Sequence, residues 1–208
     1  AVDIATDTID KIHTTATSHN RVFIIEIMGH RVGWVALHAA IAGGADIVLL
    51  PEIPYDIDVI VDAIHKRSEA GKRFTIIAVA EGAISKKDAK LSKKELKEKQ
   101  EKKRYPSVAF ELAEKVQKRS DQEVRIAVPG HTQRGGSPCP YDRVLSTRLG
   151  AAAAEAILDG DFGNMVAIKN DKVVLMPLSE VAGKLKYVDP KSDIIKEAKL
   201  SGISFGDE

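Results

Sequence analysis

Residues 130–143 read GHTQRGGSPCPYDR. His131, Gln133 and Arg134 fall within four residues, and Gly135-Gly136 and Ser137-Pro138 follow at once. An imidazole can donate a hydrogen bond to an anion, and a guanidinium grips two oxygens of a phosphate or carboxylate together. Neighbouring glycines let backbone amides come close to the same group. Arg21, Arg31 and Arg125 offer further donors, Glu52 and Glu81 offer acceptors, and Gly29, Gly82 and Gly130 add close-approach points. Donors for a phosphate and acceptors for hydroxyls together suit a phosphorylated polyol better than a nucleobase or a lipid.

Other chemistries lack their residues. His13, His19, His38 and His65 are scattered with no HxH or HxxxH pair, and the single cysteine, Cys139, supports neither a disulfide framework nor a Cys-based zinc site. No metal site is expected. Ser137 has no G-x-S-x-G setting, and no G-x-x-x-x-G-K-[ST] loop occurs.

The elements that must carry these residues alternate. RVFIIEIM (21–28), ADIVLL (45–50), FTIIAVA (74–80) and VRIAVP (124–129) read as buried strands, and 32–42 and 57–70 as intervening helices that end at Gly43-Gly44 and Gly71. Near-continuous apolar runs between amphipathic helices predict an α/β fold, with a mostly parallel sheet covered by helices on both faces. An Ala-rich helix over 141–158 follows the loop. MVAIK-ND-KVVLM (165–176) predicts a β-hairpin, because Asn-Asp tolerates the positive φ of a two-residue turn. In such a sheet, ligands bind beyond the carboxyl ends of the strands. Those ends read Met28-Gly29-His30-Arg31, Pro51-Glu52, Glu81-Gly82 and Gly130–Gly136, so all four converge on one rim.

Alone, burial tendency assigns Met28 and Trp34 to packing, and Glu26, inside a strand, requires a partner if buried. The 208 residues are 44% hydrophobic with a formal net charge of +1, a globular composition without the basic field that holds nucleic acid. No apolar run approaches membrane-spanning length and nothing resembles a signal peptide, so no membrane partner and a reducing cytoplasm are expected. The stretch 86–104 holds ten Lys or Arg against four Asp or Glu. It has no aromatic and one arginine, and reads as a solvated helical excursion with i,i+4 support such as Glu98/Lys102 rather than as a polyanion patch.

IIEIMGHRVGWVALHAAIAGGADIVLLPE (24–52) and PGHTQRGGSPCPYDRVLSTRLGAAAAEAI (129–157) resemble the 6-phosphofructokinase family, as does the opening HTTATSHNR. The likeness runs from about residue 1 to 170 apart from the basic insertion. It implies a Rossmann-like, phosphofructokinase-type fold and the conversion of fructose 6-phosphate to fructose 1,6-bisphosphate in glycolysis. Arg21, Arg125 and His131 match the family's 6-phosphate ligands. Met28 and Gly29 match its sugar-pocket Met-Gly, which moves Met28 from packing to site. Glu81 matches the carboxylate that holds a sugar hydroxyl, and Arg134 the arginine beside the substrate. The residues matching Arg21 and Arg125 reach into a neighbouring subunit's site in bacterial members, so a homodimer or homotetramer with shared active sites is implied.

The departures from the family pattern are specific. Where many ATP-using members have Met-Gly-Arg, this chain has Met28-Gly29-His30, so support of the transferring phosphoryl group falls to His30. MGHRxGW and the Lys-rich insertion resemble a branch that includes pyrophosphate users, leaving ATP or pyrophosphate as the donor, with Mg²⁺. His13 stands where allosteric members carry an effector-site arginine, and Asp46 and Lys72 fall at other effector positions. The family's nucleotide loop, magnesium-binding acid and catalytic aspartate motif do not occur here, so no catalytic residue is assigned. The expectation is the C-terminal part of the enzyme, inactive in isolation, with its own N-terminal half as partner. Residues 1–129 form a sugar-phosphate-binding domain with a charged insertion at 84–105, and 130–208 belong partly with the missing domain. The alternative is a non-catalytic sugar-phosphate-binding or oligomerisation module.

Overall fold

The computed structural model describes residues 1–16, 21–92, 94–96, 98 and 105–208. His19, residues 93, 97 and 99–104 of the Lys-rich stretch, and with them Lys102 of the expected Glu98/Lys102 pair, lie outside them. Two compact units are present, Ala1–Gly135 with Tyr187–Glu208, and Gly136–Lys186. This division differs from one after residue 129. It carries the 130–135 turn with the first unit and returns the C-terminal residues to it.

In the first unit, α1 (Val2–Ala16) leads to β1 (Arg21–Ile27), α2 (Trp34–Ala42), β2 (Ile47–Leu49), α3 (Ile57–Glu69) and β3 (Phe74–Ala80). Then come α4 (Val108–Gln117), β4 (Glu123–Ala127) and a 3₁₀ turn over Gly130–Arg134. The four strands form one parallel sheet in the order β2-β3-β1-β4, with Arg21 opposite Phe74 on one side and Glu123 on the other. Alternation along β1 sends Val22 and Ile24 into a core with Ile60 and Ile64 of α3 and Leu112 and Val116 of α4. Ile25 and Ile27 enter the opposite core, with Ile9 of α1 and Leu37 and Ala40 of α2. Both faces of the sheet are thus covered, as the unbroken apolar runs require.

Glu26 is 8% exposed, and its Oε2 accepts from the Ala109 N–H at 3.0 Å in the first turn of α4. The buried carboxylate therefore has its partner. Trp34 packs partly buried against the α1/α2 core and stacks on His38.

In the second unit, α5 (Pro140–Leu158) precedes an antiparallel hairpin, β5 (Asn164–Lys169) and β6 (Lys172–Pro177), and a short α6 (Leu178–Val181). Asn170 and Asp171 have φ of 50° and 59°, the left-handed pair that a two-residue turn demands. Arg143 does not pair with its neighbour Asp142. Its Nε donates to the Pro138 carbonyl at 3.0 Å, while Asp142 Oδ2 accepts from the Cys139 N–H at 3.2 Å and completes a capping box. Adjacent helical residues point about 100° apart, so an i,i+1 pair does not face itself.

Returning to the first unit, α7 (Asp193–Leu200) packs Ile195 and Ala198 into the α1/α2 core, and the last residues run along the outer edge of β2. Val48 N donates to Ser204 O at 2.8 Å and Ser204 N to Asp46 O at 3.0 Å.

Candidate functional site at the strand exits

The turn after β1 is held by one polar side chain from each of the other three strand exits. From the end of β4, Gln133 Oε1 accepts from Met28 N at 3.1 Å. After β3, Glu81 Oε1 accepts from Gly29 N at 3.2 Å and from His30 N. Beyond β2, Glu52 Oε1 accepts from Gly33 N at 3.0 Å. The turn closes on itself through Val32 N to Gly29 O at 3.1 Å. Backbone N–H groups at the top of a parallel strand have no further ladder to join, so side chains must satisfy them.

Two glycines are required by this closeness. A Cβ on Gly82 would lie 2.3 Å from the His30 carbonyl oxygen, and one on Gly29 would lie 2.5 Å from that of Val32. His30 itself takes φ of 56°, a left-handed conformation uncommon outside glycine and asparagine.

Met28, Gly29, Gln133 and Arg134 line a cleft of about 170 Å³ together with Ala1 and Val35. His131 and Arg134 are exposed on the 3₁₀ turn, and Glu81 is half-buried below the β1 turn. The structure therefore brings Met28, Gly29, Glu81, His131 and Arg134 to one rim. Gln133, one of the loop's polar residues and assigned no role from the sequence, is 1% exposed, and its Nε2 donates to Gly130 O at 3.3 Å. Its signal lay in the three-residue period of the turn, which aligns 131 with 134 and leaves 133 to face inward. Glu52, read as an acceptor for a ligand, serves backbone instead. Besides Gly33 N it takes Val188 N at 3.0 Å, and Oε2 is buried with no partner among the described residues.

Arg21 and Arg125 do not join that rim. Arg21 opens β1 and Arg125 stands midway along β4, where Arg21 Nε meets Glu123 Oε2 at 2.5 Å and Arg125 pairs with the same carboxylate. Seven residues of β1 at about 3.3 Å each put roughly 20 Å between Arg21 and Met28.

The effector-position residues are engaged within the chain. Asp46 pairs with Arg67 at 2.7 Å, and His13 Nε2 lies 3.0 Å from Gly44 O. Burial pushes the Asp46 carboxyl above its ordinary range, against the Ile76 N–H bond and the charges of Arg67, His13 and Lys72. Among the described residues, no group of three or more His, Cys, Asp or Glu side chains could hold a metal ion, and no helix is long and apolar enough to cross a membrane.

Comparison with known proteins identifies the family to which this architecture corresponds. The sequence model of the family described as Phosphofructokinase matches residues 1–157. An ATP-dependent 6-phosphofructokinase of Spirochaeta thermophila is 51% identical over 207 residues, covering 100% of this chain and 57% of the relative. Another from Chloroflexus aurantiacus is 46% identical over 208 residues, covering 100% and 56%. The chain thus spans a little over half the length of the curated relatives it matches. Among solved structures, Pichia pastoris phosphofructokinase in the T-state superposes with a TM-score of 0.67 at 34% identity, over 86% of this chain and 19% of that one. A pyrophosphate-dependent phosphofructokinase from Marinobacter aquaeolei gives a TM-score of 0.72 at 24% identity, over 93% and 49%, and shares the fold.

Proposed function

The chain belongs to the phosphofructokinase family, and on that premise we propose that it is the C-terminal, fructose 6-phosphate-binding part of an ATP-dependent 6-phosphofructokinase. The observation that carries this reading is the convergence of the Met28-Gly29 turn, Glu81, His131 and Arg134 on one rim. His131 holds the 6-phosphate and Arg134 lies against the substrate beside it. Met28 and Gly29 wall the sugar. Glu81 spends Oε1 on the turn and accepts a sugar hydroxyl with Oε2. By fixing the sugar on both sides, this part aligns the 1-hydroxyl for in-line attack on the donor's terminal phosphoryl group, a contribution of position rather than of bond-making. His30 supports charge on that group through its N–H or in its protonated form.

Arg21, a strand's length from its own rim, and Arg125, midway along β4, bind the 6-phosphate in a neighbouring subunit, which makes the enzyme a homodimer or homotetramer with shared sites. ATP is the donor, as in the names of the relatives at 51% and 46% identity. Its Mg²⁺ does not fit the described residues, which offer no acidic cluster for it. The N-terminal half of the full-length protein holds donor and metal, and covers the apolar side chains, Tyr141, Val144, Ile157 and Phe162, that the second unit exposes. The relatives' names favour this reading over a non-catalytic module, and a glycolytic enzyme of this kind works in the cytoplasm.

A coupled assay for fructose 1,6-bisphosphate tests the reading. The full-length protein is expected to turn over with ATP and far more slowly with pyrophosphate, and this chain alone not at all. Turnover with pyrophosphate only would overturn the donor assignment, and turnover by the isolated chain would overturn the division of labour.

A further inference from the structure

Gln133 is the buried member of an exposed segment. His131, Thr132 and Arg134 face solvent, whereas Gln133 is 1% exposed and both ends of its amide are bonded. Its Oε1 accepts from Met28 N at 3.1 Å and its Nε2 donates to Gly130 O at 3.3 Å. The first bond reaches the exit of β1, and the second ties the side chain back to the start of its own turn. One amide therefore links the wall formed by Met28-Gly29 to the segment that carries His131 and Arg134. The segment also packs against α1. Its backbone bonds are Thr132 N to Pro129 O and Gly135 N to Thr132 O, both internal to the turn. Gly130, with φ of 56°, and Gly135 bound it and leave the chain on either side easily turned.

We propose that Gln133 is the positioning residue for sugar-phosphate recognition, setting the distance between the Met28-Gly29 wall and the His131/Arg134 pair while touching no ligand itself. This inference rests on the site reading given above. An amide suits the role because it presents an acceptor and a donor together, and neither bond partner can be left unpaired in a buried position without cost. Methionine has nearly the same shape and supplies neither. With Gln133→Met the segment keeps its packing but loses its register against β1, so the ligand meets its two walls at the wrong separation.

Steady-state kinetics on the full-length protein provide the test. Gln133→Met is expected to raise KM for fructose 6-phosphate about five- to tenfold, the scale of one or two neutral hydrogen bonds. Both kcat and KM for ATP should stay within about twofold. A residue that served folding alone would instead lower kcat through loss of active protein and leave both KM values unchanged, and that pattern overturns the proposal, as does no change at all. Gln133→Glu restores an acceptor for Met28 N. Its carboxyl, once protonated, also donates towards Gly130 O, so its KM for fructose 6-phosphate relative to the parent should fall as pH is lowered. That variant carries the test by itself if Gln133→Met does not fold, and a flat ratio across pH overturns the proposal. Arg134→Ala is the reference. If it too leaves KM for fructose 6-phosphate unchanged, the site assignment fails as well as the positioning role.

Discussion

At the scale of single residues, Asp46 shows how burial and charge compete. Its Oδ2 accepts from Ile76 N at 2.8 Å and its Oδ1 faces Arg67 at 2.7 Å, yet burial dominates and raises the carboxyl above its usual 3.8. A carboxyl with a raised folded pKa contributes most to stability below its unfolded value, and loses that contribution as pH climbs through the folded one. Asp46→Asn keeps an acceptor for Ile76 N and removes the titration. Urea unfolding at about pH 4 and pH 7 should therefore find the variant gaining on the parent as pH rises. The opposite trend would mean that the Arg67 pairing outweighs burial. The position of the rim residues was legible in the sequence to the extent that they follow a strand, since a strand's end fixes their place. Met28, Gly29, Glu81, His131 and Arg134 come together for that reason. Glu52 and Gln133 were misread or passed over because a polar side chain serving backbone N–H groups carries the same letter as one serving a ligand.

At the scale of elements, the edge of β2 depends on the end of the chain. Residues 203–208 supply a strand-like partner through Ser204, bury Phe205 to 1% exposure and set Gly206 O against Asp56 N at 2.7 Å. Lys199 bonds Asp207 and Glu208, each at 2.8 Å, and fastens the tail to α7. Deleting 203–208 removes a core aromatic, worth about 3–5 kcal/mol on large-to-small precedent, and exposes an unpaired strand edge. The expected result is a loss of that order in urea unfolding, with concentration-dependent association by light scattering. An unchanged midpoint would show that the tail is dispensable. The four strands, helices α2, α3 and α5 and the hairpin were readable because their apolar runs or turn residues are local. The tail was not, since a single bridging residue, Ser204, has no period. Helix α4 was readable in principle. Ala109, Leu112, Ala113 and Val116 have helical spacing behind Ser107, although the charge run before them has no such apolar period.

At the scale of the whole molecule, the proposed binding residues are spread along the parallel sheet. The carboxyl ends of the strands carry the rim, while Arg21 opens β1 at the other end and Arg125 stands midway along β4, both paired with Glu123. A parallel sheet cannot bring both ends to one ligand, so if all seven residues bind a single sugar phosphate, Arg21 at least must come from a second copy. This geometry makes shared sites testable by complementation in the full-length protein. Arg21→Ala and Arg134→Ala should each abolish most activity alone, because each damages every site. When the two variants are co-expressed and assemble at random, half of the dimers are hybrids. In a hybrid, one site takes its rim from the Arg21→Ala subunit and its arginine from the Arg134→Ala subunit, so both groups are intact. The partner site carries both lesions. Recovery of about a quarter of the parent activity is expected from a two-fold arrangement. Co-expression that does no better than the sum of the separate variants would place all the binding groups within one subunit, and would leave Arg21 and Arg125 as partners of Glu123 alone.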